Sequence, residues 1–194
     1  MGGLSRAGHH VFGYASLVLD DEWQGTVARL PGHRRVWGVA TDNMRAIPGY
    51  KMYLRRSDGS RPAVYVAFMD IEPDESCTVN GLVRPVSDSE LAVLDRRERN
   101  YDRMEVTGRI QGFEGRVWTY RGSPEGRARL RRGREEGRVV VSRDYLDKVR
   151  AGFARLGPDE QHAFAESSEL DDLPVWDLER LDLPPDPPPA EGAP

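Results

Sequence analysis

The chain has 194 residues, 38% hydrophobic and 31% charged, with 28 lysines and arginines against 32 aspartates and glutamates. That length suits one domain with a buried core, and no apolar run approaches the ~20 residues of a membrane-spanning helix. The net charge of −4 argues against a dedicated nucleic-acid binder, and the single cysteine, Cys77, excludes an internal disulfide and a cysteine-built zinc site.

Residues 1–8 read as a flexible lead, without the basic and apolar regions of a secretory signal. With one cysteine, a reducing, cytoplasmic setting is expected. His9 and His10 open a strand, where adjacent side chains point to opposite faces and do not converge on a metal. The strand runs through Val11 and Phe12 into a small-residue turn, Gly13-Tyr14-Ala15-Ser16-Leu17. Such a turn presents backbone N–H groups as a nest for a carboxylate or an oxyanion. The plainer reading is a bulge or a tight bend.

Residues 20–32 are polar and mixed and read as a loop with one short helical turn. Residues 34–41 read as a strand, and 42–49 as an excursion closed by Pro48-Gly49. Residues 51–56 and 61–71 read as a hairpin across Ser57-Asp58-Gly59-Ser60. The run 63–69 is apolar on both faces, the pattern of a central strand. Residues 78–86 form another strand, in which Gly81 marks a close approach.

Ser87-Asp88-Ser89-Glu90 fits a capping box and starts a helix to about residue 100. Residues 101–110 and 116–121 read as strands. The stretch 122–137 reads as a solvated, flexible loop, because Glu125, Glu135 and Glu136 interrupt its arginines and no aromatic residue accompanies them. As an insert it is also a candidate lid over a pocket. Residues 139–141 are a short strand. Ser142 caps a helix to Leu156 with Tyr145, Leu146, Val149 and Phe153 on one face. Gly157-Pro158 ends it, and Pro158 opens a third helix to about residue 169. Trp23, Trp37, Trp118 and Trp176 read as core packing or tail tethers.

The tail is Pro-rich from Leu183 and does not pack a core, so the domain is taken as 9–180 and the tail as 181–194. About seven short strands with two or three late helices indicate an α+β fold, with a small, mixed and mostly antiparallel β-barrel flanked by helices.

One side chain stands out. Leu91 and Leu94 set the apolar direction of the helix that Ser87 caps, and Glu98 points between them. A carboxylate aimed at the core is unfavourable unless it is paired or functional. Burial raises its pKa toward neutrality, as a general acid–base residue requires. The alternative is a glutamate at a helix end that ion-pairs with an arginine such as Arg103, which pulls the pKa the other way.

The segment 94–103, with Leu94, Asp95, Glu98, Tyr101 and Arg103, resembles the L-D-x-x-E-x-x-Y-x-R signature of the gamma-glutamylcyclotransferase superfamily, in its ChaC-like and AIG2-like bacterial branch. Gly13-Tyr14-Ala15-Ser16-Leu17 resembles its Y-G-S-L substrate loop, with Ala15 where the family usually has glycine. Ser142-Arg143-Asp144-Tyr145-Leu146 is similar to its C-terminal helix. The resemblance implies an enzyme that releases 5-oxoproline from a γ-glutamyl substrate, such as glutathione or a γ-glutamyl peptide or amine. The α-amine attacks its own γ-carbonyl. Glu98 is then the general acid and base, and Gly13, Tyr14, Ala15, Ser16, Leu17, Tyr101 and Arg103 the substrate-binding residues. It implies no metal and no organic cofactor. The other reading is a non-catalytic member of the same fold that binds a small acid or a protein.

Overall fold

A computed structural model describes residues 8–19, 25–171 and 173–184. The readings of residues 1–7, of Trp23 and of the tail beyond residue 184 lie outside that range.

β1 (His9–Gly13) runs into a single 3₁₀ turn, Ser16–Leu19. β2 (Thr26–Asp42) is longer than expected and begins inside the presumed loop. Ala28 and Leu30 are buried, but Pro31-Gly32 hides their alternation. The strand absorbs these two residues at a register shift, with Gly32 at φ 73°. β4 (Tyr65–Val86) is likewise one strand where two were expected. Its Pro73 sits opposite that same irregularity, where a missing N–H is tolerated. β2 and β4 pair antiparallel from Thr26 opposite Val83 to Asp42 opposite Tyr65.

The expected hairpin does not form. β3 (Lys51–Arg55) pairs antiparallel with β10 (Leu178–Asp182), not with β4. The reason is Asn43, fully buried. Its Nδ2 donates to the Tyr53 and Pro62 carbonyls at 2.9 and 3.0 Å, and its Oδ1 accepts from the Tyr53 N–H at 2.8 Å. One side chain therefore satisfies the Tyr53 N–H and carbonyl on the edge of β3 that faces away from β10. The 57–60 turn itself is made, with the Arg55 N–H donating to the Ser60 carbonyl at 2.8 Å. β10 runs past residue 180. Residues 181 and 182 belong to this strand, and the Leu183 N–H donates to the Tyr50 carbonyl at 2.6 Å.

α1 (Asp88–Arg97) begins at a complete capping box between Ser87 and Glu90 and ends three residues before the expected Asn100. Asn100 is drawn away into the core, where Nδ2 donates to the Thr41 hydroxyl at 3.0 Å and Oδ1 accepts from Arg129 at 2.9 Å. β5 (Tyr101–Glu105) then pairs antiparallel with β6 (Arg116–Gly122).

The arginine-rich stretch is not a flexible loop. It forms α2 (Pro124–Glu135), with Ser123 as N-cap and Pro124 opening the first turn. Gly126, Leu130 and Gly133 bury its inner face against the sheet. β7 (Val139–Ser142), α3 (Arg143–Arg155), α4 (Pro158–Glu166), β8 (Ser168–Glu169) and β9 (Val175–Trp176) complete the chain order before β10. Ser142 holds the N-cap position of α3 without making a side-chain cap bond.

The fold is α+β. The main sheet is mixed and mostly antiparallel, in the order β5-β6-β1-β4-β2-β8. Among the described residues, β5 and β8 at its two ends are not paired with each other. β2 occupies one edge of β4, while β1 and β7 take the two ends of the other. Between β1 and β7 that edge is open, and the candidate functional site lies there. No helix among the described residues is long and apolar enough to cross a membrane.

Candidate functional site

A cavity of about 710 Å³ opens beside the open edge of β4. Ser16, Gly49, Tyr50, Lys51, Tyr53, Phe68, Tyr101, the end of α1, one face of α3 from Asp144 to Arg155 and the end of β10 line it. Two tyrosine hydroxyls replace the missing strand partner. Tyr101 donates to the Met69 carbonyl at 2.7 Å, and the Met69 N–H donates to the Tyr145 hydroxyl at 3.2 Å. Burial raises the pKa of both phenols, so they remain neutral at physiological pH.

The turn after β1 is fixed from below by Arg35, which is fully buried. Its Nε donates to the Tyr14 carbonyl at 2.7 Å, and its Nη2 donates to the Asn80 side chain at 2.8 Å. Its guanidinium sits 4.8 Å from the ring centres of both Phe153 and Phe164. Gly13 is required because a Cβ there would lie 2.6 Å from the Leu17 Cβ. Gly81 is required because a Cβ would collide with the Gly13 carbonyl oxygen. Ala15 introduces no backbone strain, since no non-glycine described residue has a positive φ.

Glu98 is the C-cap of α1, one residue past its last turn, with its N–H donating to the Leu94 carbonyl at 2.8 Å. Its side chain is 14% exposed and faces the cavity. Among the described residues no group donates a hydrogen bond to its carboxylate. Its nearest ion-pair contact is Arg97, at a long 3.6 Å. Burial raises its pKa, against the pull of Lys51, the largest opposing charge, and of Arg97.

Lys51 enters from the first position of β3. Its ammonium lies 4.0 Å from the Phe68 ring centre and 5.5 Å from that of Tyr50. Burial lowers its pKa to about 8, opposed most strongly by Glu98. The site thus holds a partly desolvated carboxyl and a partly desolvated ammonium facing one space, each with its pKa shifted by burial toward its neutral form. Among the described residues no group of three or more His, Cys, Asp and Glu side chains is arranged to hold a metal ion.

Comparison with known proteins bears on this arrangement. The family Gamma-glutamyl cyclotransferase, AIG2-like (GGACT) matches residues 11–146, more than half of the chain. The chain belongs to this family. No curated protein matches it. Among solved structures, one described as a gamma-glutamyl cyclotransferase is 16% identical, with a TM-score of 0.49, covering 85% of this chain and 90% of its own. An uncharacterized Homo sapiens protein, loc79017, is also 16% identical, with a TM-score of 0.49 and coverages of 86% and 91%. A solution structure of At5g39720.1 from Arabidopsis thaliana is 24% identical, with a TM-score of 0.38 and coverages of 63% and 73%.

Within this AIG2-like chain, the residues singled out from sequence divide into two groups. Glu98, Tyr101 and Ser16 line the cavity. Gly13, Ala15 and Leu17 are buried behind Ser16 and shape its turn. The Tyr14 side chain is not a wall of the cavity, for its hydroxyl donates to the Tyr120 carbonyl at 2.8 Å inside the core. Arg103 also lies elsewhere, paired with Asp95 at 3.0 Å and set over the Trp118 ring. It therefore pairs with neither Glu98 nor the cavity. α2 packs on β2, and no residue of it borders the cavity, so it is no lid.

Sequence reasoning missed Lys51, Tyr145, Ser142, Arg180 and Asp182, all of which line the site. For Tyr145 a signal existed, since a helix-face tyrosine one turn in from a helix start can point its hydroxyl at a strand edge. For Lys51 and Arg180 none did, because Lys51 read as an ordinary polar strand position and no strand was expected at Arg180.

Proposed function

We propose that the protein is an enzyme of the gamma-glutamyl cyclotransferase type, releasing 5-oxoproline from a γ-glutamyl peptide such as glutathione or from a γ-glutamyl amine. The observation that carries this is Glu98, a desolvated carboxylate that accepts no hydrogen bond from the described residues, set on a cavity wall in a chain of this family.

The substrate's α-ammonium is not a nucleophile until it loses a proton. Glu98 accepts that proton, and burial, by raising its pKa, makes it a stronger base than an exposed carboxylate. The amine then attacks the γ-carbonyl of the same molecule. Because nucleophile and electrophile share one substrate, much of the acceleration comes from folding it into a reactive pose. The cavity walls of Phe68, Tyr101 and Tyr145 supply that shape. Backbone N–H groups of the 14–17 turn hold the substrate's α-carboxylate, with Ser16 at the contact. Glu98 returns its proton to the leaving nitrogen as the C–N bond breaks.

The test is incubation of the full chain with glutathione, a γ-glutamyl dipeptide and a γ-glutamyl amine, scored for 5-oxoproline. Release from at least one, lost in Glu98→Gln, is the expected result. No release from any substrate, with saturable binding retained, overturns the reading in favour of a non-catalytic binder.

A further inference from the structure

We propose that the Lys51 ammonium is a catalytic group, stabilising the negative charge that develops on the substrate's γ-carbonyl oxygen during ring closure. The inference rests on the cyclotransferase reading above and adds a residue to it.

The geometry points to this role in three ways. First, Lys51 and Tyr53 both line the cavity, as alternation along β3 requires, and β10 holds that strand in place by pairing along its whole length. Second, Lys51 has no carboxylate within ion-pair distance among the described residues. Its cross-strand neighbour is Asp182. That carboxylate is engaged by Arg180, whose Nε and Nη2 donate to the same oxygen at 2.9 and 2.5 Å. Third, the ammonium rests on the Phe68 ring rather than in water. A half-buried cation without a partner carboxylate is unfavourable for the folded chain. In a partly desolvated site the same cation interacts strongly with a charge that appears only during reaction.

The charge balance is closed without any further reagent. At rest, the opposite charge that acts most strongly on Lys51 is the Glu98 carboxylate. When Glu98 takes one proton from the α-ammonium it becomes neutral. The freed amine forms the N–C bond, and the carbonyl π pair moves to oxygen. The negative charge has then moved from Glu98 to that oxygen, and Lys51 has one anionic neighbour before and after. On collapse the oxygen's pair re-forms the carbonyl, the C–N bond breaks, and the Glu98 proton passes to the leaving nitrogen. The second proton of the former ammonium leaves the new lactam nitrogen through the same carboxylate and ends on the released amine.

Other charges face Lys51 and set its behaviour. Glu98 from the end of α1 and Asp182 from β10 favour its charged form. Arg180 from β10 and Arg97 from α1 oppose it, as does its burial.

The experiment compares wild type, Lys51→Met and Lys51→Arg in 5-oxoproline release, using whichever γ-glutamyl substrate the wild type turns over. Lys51→Met should lower kcat about 100-fold or more, leave KM within about threefold, and melt no lower than wild type. The wild-type kcat/KM should fall on the alkaline side near pH 8, where Lys51 loses its proton. Lys51→Arg should move that fall upward, since a guanidinium stays charged. The substrate's own amine titrates alike in both enzymes and cancels in the comparison. A Lys51→Met enzyme within about threefold of wild type, or one impaired in KM alone, overturns the proposal. So does an unchanged alkaline fall in Lys51→Arg, which decides the matter even if the methionine variant does not fold. An inactive wild type removes the cyclotransferase reading and this one together. An active wild type with an indifferent Lys51→Met removes only this one.

Discussion

Asp70 and Glu98 are two carboxyls whose pKa burial raises, and their surroundings differ. Asp70 on β4 has a fully buried side chain. Its Oδ1 accepts from the Ile71 and Gly122 N–H groups, both at 2.8 Å, and its Oδ2 pairs with Arg127 at 2.5 Å. Glu98 faces a cavity and accepts no hydrogen bond from the described residues. Burial raises the pKa of both. A raised pKa therefore does not by itself mark a functional acid. What separates the two is whether the lone pairs are already taken. Asp70 has its donors and holds β4, β6 and α2 together, whereas among the described residues none donates to Glu98.

Substitutions can break or sharpen this contrast. The largest effect is expected for Glu98→Gln, which should lower 5-oxoproline release about 1,000-fold, near 4 kcal/mol of transition-state stabilisation. The same variant should be more stable than wild type, with a definite pH dependence. A carboxyl whose folded pKa lies above its ordinary value opposes folding once the pH exceeds that value, here 4.5. The stability gain of Glu98→Gln should be absent at pH below 4.5, grow as the pH rises through the folded pKa, and then level off. Thermal melts across that range read it directly.

Asp70→Asn should behave in the opposite manner. It breaks a buried pair and should lose about 3 kcal/mol in denaturant unfolding, while the KM of the folded fraction stays unchanged. Tyr101→Phe and Tyr14→Phe each remove one hydroxyl from a buried carbonyl and should each lose about 1 kcal/mol. Only Tyr101→Phe should also change kcat/KM, since only Tyr101 borders the cavity. Arg103→Ala should have the smallest effect, under about 1 kcal/mol with unchanged kinetics, because its ion pair with Asp95 is partly exposed.

The parts of the molecule that were legible in sequence are those with local causes. The Ser87–Glu90 capping box, the inward direction of Glu98 and the close approach at Gly81 each follow from a few neighbouring residues. The pairing of β3 with β10 does not. Asn43 decides it from outside the strand, and the β10 sequence, Leu-Glu-Arg-Leu-Asp, alternates too weakly to declare itself beside a Pro-rich tail. Lys51 and Arg180 were hidden for the same reason, since their place at the cavity depends on that pairing.

α2 teaches a different lesson. Its arginine content suggests a solvated segment, yet Ser123-Pro124 is a helix-start signal, and Gly126, Leu130 and Gly133 recur at the spacing of one helical face. Arg127 and Arg129 are spent inside the molecule, on Asp70 and on the Ala40 carbonyl. Composition misled here where periodicity did not.

The pairing of β10 with β3 has a practical consequence for anyone trimming this polypeptide. The inherited similarity ends at residue 146, yet Lys148, Arg155, Arg180 and Asp182 all stand on the cavity wall. A fragment cut at the edge of the homology would keep Glu98 and Lys51 but leave their chamber breached on one side. The cavity is thus complete only with residues that lie beyond the stretch matched by the family.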